Sequence, residues 1–388
     1  MQFNFDEIID RKHTKSVKHD FSTKFGKMGY NAIPLWIADM DFRTPPSVQK
    51  VIIERAKHGI FGYSGTDDDY FNAVSSWMVN RHGWKVDQDW LLITQGVLSA
   101  ISAVIVALTK QNDAILLQYP SYNMFNMLIE KNKRKVVRNE LVLEYGKYKI
   151  DFEDFERQIV RNEVKLFILC NPHNPVGRVW TKEELLQMGD ICLKHDVIVI
   201  SDEIHQDFVF APHKHYVFTD LKPEYEKITI TCTAPTKTFN LSGVAISNIF
   251  IIDDDLRDKI SDELMRRGHL GAGIFEILAG QAAYESGGEW LDALMQYLSK
   301  NIEYSKSFFQ EKLPEIDFIE PEGTYLLWLD CRKLGFWAKE LEAFLADEAK
   351  VILNGAPGAE GFIRINVACP RAILEKAFPQ IERAIRRL

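Results

Sequence analysis

The chain has 388 residues, with 47 Lys and Arg against 55 Asp and Glu and so a formal net charge of −8. That sign excludes a polybasic nucleic-acid binder or membrane-surface protein, whose contact with phosphate needs surplus cations. Apolar residues at 46% and charged residues at 26% exclude a disordered or fibrous chain, and the length suits two or three domains.

The opening Met1–Glu7 is acidic and lacks an apolar run, so a cytoplasmic chain is expected. No Ser/Gly/Pro-rich linker or internal repeat interrupts the chain, which predicts interleaved, compact domains. From residue 90 onward, short apolar runs alternate with amphipathic stretches. Strands are predicted at 90–94, 113–118, 165–170, 197–202, 228–233 and 247–252, with a helix over 98–108. Residues 181–195 predict another helix, opened by a Thr181/Glu184 capping box. The continuous apolar character of the strands points to a mostly parallel sheet covered on both faces. The stretch 91–108 is broken by Thr94, Gln95, Gly96, Ser99 and Ser102, too many polar residues for a membrane span. A long helix over 289–312 then leads to strands at 324–329 and 361–366 and helices at 337–348 and from Arg371, a smaller α+β unit. The five cysteines are scattered and, with the ten histidines, show no metal-ligand spacing, so no metal is expected.

Four features fall at predicted strand ends, where open α/β sheets hold ligands. Thr94-Gln-Gly-Val is a glycine turn before a helix, whose amides can receive a phosphate; read alone it is equally a tight turn. Cys170-Asn-Pro-His-Asn-Pro carries two Asn-Pro steps that fix an extended turn and present amides. Asp202 ends an apolar strand and needs a cation, for which a protonated pyridine nitrogen would serve; read alone it is equally a cap for the following helix or turn. His205 by itself reads as a structural histidine. Lys237, in Thr233-Ala-Pro-Thr-Lys-Thr-Phe-Asn, suits a Schiff base if its amine is desolvated, although a lone lysine is ordinarily a surface charge.

In this order on one sheet, the four features are the equipment for pyridoxal 5′-phosphate. Together with Pro34-Leu-Trp-Ile-Ala-Asp-Met-Asp-Phe, Phe61-Gly-Tyr and Gly361-Phe-Ile-Arg-Ile-Asn, they make the whole chain resemble fold-type I enzymes of the class I/II aminotransferase superfamily. Within it, the resemblance is to the MalY/PatB-type C–S lyases, which include cystathionine β-lyases and cystalysin. The resemblance implies a large cofactor domain over 46–285 and a small α+β domain over 286–388, joined by an N-terminal segment over 1–45. It implies that Lys237 carries the cofactor and acts as catalytic base, that Asp202 pairs with the ring nitrogen and that Asn174 bonds the ring oxygen. Tyr122 would stack on the ring, with His205 beside it; Gly96, Val97 and Thr236 would hold the phosphate. Arg364, with Asn174 and the backbone at Ala38, would bind the substrate carboxylate. Tyr63 would serve the site of a neighbouring subunit, which implies a homodimer.

His205 stands where most aminotransferases carry Tyr, and Ala245 where they carry an Arg phosphate clamp; both favour the lyase branch. Lys18-His-Asp and Asn123 depart from the lyase pattern and leave the substrate open. The expected reaction is α,β-elimination of cystathionine or a related cysteine S-conjugate. The alternatives are amino-group transfer to a 2-oxo acid and, from another class, a regulatory protein that binds a partner.

Overall fold

The computed structural model describes residues 3–21, 32–269 and 271–388. Its centre is a seven-stranded sheet: β1 Leu91–Thr94, β2 Ala114–Tyr119, β3 Lys135–Glu140, β4 Leu166–Cys170, β5 Ile198–Asp202, β6 Thr229–Thr233 and β7 Ser247–Phe250. The strand order is β1-β7-β6-β5-β4-β2-β3. Strand β7 runs opposite in direction to the other six.

Alternation along the strands fills two layers. Ile115, Leu117, Leu166 and Ile168 pack with Val97, Ile101 and Val104 of the helix Val97–Leu108 on one face. Leu116, Phe167 and Leu169 pack with Phe155, Trp180 and Met188 on the other. Period-two side chains buried on both faces explain the unbroken apolar runs. The helix Lys182–Lys194 starts as expected: Thr181 Oγ1 accepts from Glu184 N at 3.2 Å, and Glu184 Oε2 from Thr181 N at 2.8 Å. Strand β3 went unread because Lys135, Arg138 and Glu140 interrupt its apolar pattern; it is an edge strand, where charges discourage pairing with another chain.

The helix Gly288–Lys312 leads to an antiparallel sheet of β8 Asp317–Ile319, β9 Leu326–Asp330 and β10 Phe362–Asn366, packed against the terminal helix Arg371–Ile385. The helix expected over 337–348 is shorter, Ala338–Phe344, and continues as one wide turn over Leu345–Ala349. Near the N-terminus, Ile33–Pro34 pairs in parallel with Val351–Ile352, while Phe5, Met40 and Phe42 pack with Tyr70 and Trp290. Residues 32–42 therefore cross from the small sheet to the face of the large one.

Candidate active site

Register places the chemistry. Cys170 is opposite Asp202, and Asp202 opposite Cys232, so the Asn-Pro turn, the strand-end carboxylate and the lysine segment leave adjacent strands side by side. The chain diverges beyond these strand ends, and a cavity of about 280 Å³ opens there. Of the residues singled out in the sequence, Ala38, Gly96, Val97, Tyr122, Asn174, Asp202, His205, Thr236 and Lys237 line it.

Lys237 sits on the short helix Pro235–Thr238. Its Nζ donates to the Ala38 carbonyl at 2.6 Å and lies 3.5 Å from Ser242 Oγ. Burial pulls the amine down to about 8, against the attraction of Asp39. Asp202 is pushed up to about 7, chiefly by burial, although Ile204 N donates to Oδ1 at 3.1 Å. A buried carboxylate with so few donors is an acceptor awaiting a cation. His205 is held neutral: burial first, then Lys237 and Arg364, bring it to about 3, and its Nδ1 is buried without a hydrogen-bond partner.

Arg364 lies just behind the wall, its guanidinium buried. Nη1 donates to Asn174 Oδ1 and Nη2 to the Trp36 carbonyl, each at 3.0 Å. With Oδ1 occupied, the Asn174 amide keeps its N–H donors for a ligand. Tyr63 is not brought to this cavity; its side chain is fully exposed.

At the opposite end, Gly96 has φ +93°, and a Cβ there would meet nothing within 4 Å. The helix Val97–Leu108 begins at this point, so its first amides and its positive dipole end face the cavity, with the Thr236 hydroxyl nearby. The donor set fits pyridoxal 5′-phosphate: a lysine amine for an aldehyde, a carboxylate for a ring nitrogen, an amide for a ring oxygen and a helix start for a phosphate.

Sequence reading missed Tyr325 and Ser242. The Tyr325 hydroxyl donates to the same Ala38 carbonyl at 3.0 Å, and its ring meets His205 edge-on at 6.0 Å. It stands immediately before β9, where it reads as one more apolar strand residue; the preceding Gly323-Thr324 is the only local sign of a turn.

The chain matches the family model described as aminotransferase class I and II over residues 30–381. It is 42% identical over 387 residues to cystathionine β-lyase PatB of Bacillus subtilis, covering 98% of this chain and 100% of that one. It is 32% identical to protein MalY of Escherichia coli, covering 99% of each. Among solved structures it is similar to cystalysin from Treponema denticola, which contains pyridoxal 5′-phosphate; identity is 34%, the TM-score 0.95, and all of both chains is covered.

Proposed function

The chain belongs to the aminotransferase class I and II family, and from that premise we propose that it is a pyridoxal 5′-phosphate-dependent carbon–sulfur β-lyase. Its substrate is cystathionine or a related L-cysteine S-conjugate, which with one water it converts into a thiol, pyruvate and ammonia. The observation that carries the reading is the buried Lys237 amine in one cavity with Asp202, at adjacent strand ends. Similarity to PatB and cystalysin favours the lyase over amino-group transfer, as do His205 and Ala245 in the cavity wall.

When bound, the cofactor supplies an electron sink for the pair left at the substrate Cα. The chain's own residues do the rest. Asp202 holds the ring-nitrogen proton, and the amides at Gly96 and Val97 with Thr236 hold the phosphate. Tyr122, whose hydroxyl is raised above its ordinary value by burial, stays neutral and packs its ring into the cavity. Arg364, already oriented by Asn174 and Trp36, offers a planar fork to the substrate carboxylate. Lys237 Nζ, with a proton affinity near the operating pH, takes the Cα proton and returns one to the departing sulfur.

The proposed assembly is a homodimer in which Tyr63 serves the neighbouring site. It is supported by an exposed apolar run of Ile60, Phe61 and Tyr63, with Phe61 against Phe275 at 5.5 Å. The proposed division at residues 46 and 286 separates the seven-stranded sheet from β8–β10, with Ile33–Pro34 joined to the latter unit through Val351–Ile352. Among the described residues, no helix is long and apolar enough to cross a membrane.

The test is Lys237→Ala alongside the wild type. The variant should lose both the visible absorbance of covalently held cofactor and release of pyruvate from cystathionine. Normal pyruvate release by the variant overturns the assignment, and wild-type turnover that depends on an added 2-oxo acid selects the transferase.

A further inference from the structure

The residue after each of the two central groups runs into a buried histidine. Thr238, next to Lys237, donates from Oγ1 to Asp207 Oδ2 at 2.6 Å. Asp207 also accepts from His82 Nε2 at 2.9 Å and Trp77 Nε1 at 3.2 Å, so its two oxygens hold three donors. Glu203, next to Asp202, accepts from His215 Nε2 at 2.8 Å as well as from Ser201 Oγ and Phe218 N. The His82 and His215 rings meet edge to face, 5.6 Å apart at 85°. Side-chain exposure is 3% at Asp207, 5% at His82, 4% at His215 and 0% at Glu203. None of these four lines the cofactor cavity.

We propose that Thr238–Asp207–His82, abutting His215–Glu203, is a brace that fixes Lys237 relative to Asp202, and that Thr238, Asp207 and His82 are positioning residues for the lysine. The proposal rests on the functional reading above. Lys237 stands on a helix of four residues, too short to hold its own direction. On its C-terminal side, Asn240 is tied to the 40–42 backbone by Met40 N and by the Met40 and Phe42 carbonyls. Besides its start at the end of β6 and the packing of Phe239 against Trp77 and Tyr284, the Thr238 hydroxyl gives the lysine turn a side-chain hydrogen bond to the large domain, next to the lysine itself. Burial alone would raise the Asp207 carboxyl, but the hydrogen bonds from His82, Thr238 and Trp77 hold it below the ordinary carboxylate range. Asp207 therefore stays an ionised acceptor for the Thr238 hydroxyl, and a charge-assisted bond of that kind is among the stronger ones.

Thr238→Val keeps the shape and removes the hydroxyl; Thr238→Ser restores it. Purified holoenzymes are compared for cofactor release on dilution, read as loss of visible absorbance, and for kcat and KM separately. T238V should release cofactor about tenfold faster and lose about tenfold in kcat with KM little changed, and T238S should behave as wild type. His82→Phe, which keeps a ring but removes the donor to Asp207, should change the same quantities in the same direction and decides the matter if T238V does not fold. Wild-type release and kcat in a folded T238V or, failing that, H82F overturn the brace. So does a fall in thermal stability with unchanged release and kcat per folded molecule. A wild-type protein that takes up no cofactor overturns the functional reading and the brace together.

Discussion

Asp202→Asn should stabilise the cofactor-free protein while impairing the loaded enzyme. Burial, partly offset by the Ile204 amide, raises this carboxyl from its ordinary 3.8 to about 7. Between those values the folded chain holds a proton that the unfolded chain has released, so folding stability falls as pH rises through the interval. Above about pH 7 the full penalty stands, on the order of 4 kcal/mol at about 1.4 kcal/mol per pH decade. Lys237 has the opposite dependence. Burial, opposed by Asp39, lowers its amine from 10.5 to about 8, so its penalty, on the order of 3 kcal/mol, is complete below pH 8 and relieved above it. The two penalties overlap near pH 7–8, where the empty site is most destabilising. The asparagine variant removes the first, but it also removes the attraction of Asp202 for Lys237. The net gain at pH 8 should therefore be about 1–3 kcal/mol, shrinking toward zero near pH 4. Urea unfolding of cofactor-stripped wild type and D202N at pH 4.5, 6 and 8 reads this directly. A difference independent of pH, or a variant no more stable than wild type at pH 8, refutes the reasoning.

Two further expectations concern substrate binding and packing. Arg364→Lys loses the planar fork, so KM for cystathionine should rise about 10- to 100-fold while cofactor absorbance is retained; an unchanged KM removes the carboxylate role. Gly189→Ala, inside the helix Lys182–Lys194, would set a Cβ 2.3 Å from Tyr225 Cζ. The ring must shift, and the melting temperature should fall by an amount equivalent to about 1–3 kcal/mol; an unchanged melt shows that the ring yields freely.

Lys237, Asp202, Asn174 and Gly96 were legible in the sequence because each ends or follows an apolar run, and a strand end is a local signal. Arg364 was legible only by resemblance: it lies inside β10, where nothing local separates it from a snorkelling surface arginine. The brace was not legible. His82 and Asp207 are 125 residues apart, and each lies in a locally polar stretch that reads as surface. Lys18 misleads in the same way. Its side chain is fully buried, with Nζ 2.7 Å from Asp41 Oδ2, and Arg11 bonds both Asp39 and Asp41. Such charge clusters emerge only when distant segments meet, and composition carries no trace of them.

The crossing of residues 32–42 over the site has a consequence for how the protein is made. Leu35 N bonds the Ile352 carbonyl, Arg364 bonds Trp36, and the Asn366 amide bonds the Ile37 and Asp39 carbonyls. The carbonyl that receives the Lys237 amine therefore belongs to a segment made 327–329 residues ahead of its side-chain anchors. The seven-stranded sheet, complete by Phe250, can assemble well before then, with Lys237 uncovered. A nascent chain, or one truncated before residue 366, holds the cofactor floor without its roof. Closure of the site is thus tied to synthesis of β10, through contacts of very long sequence separation, which form slowly.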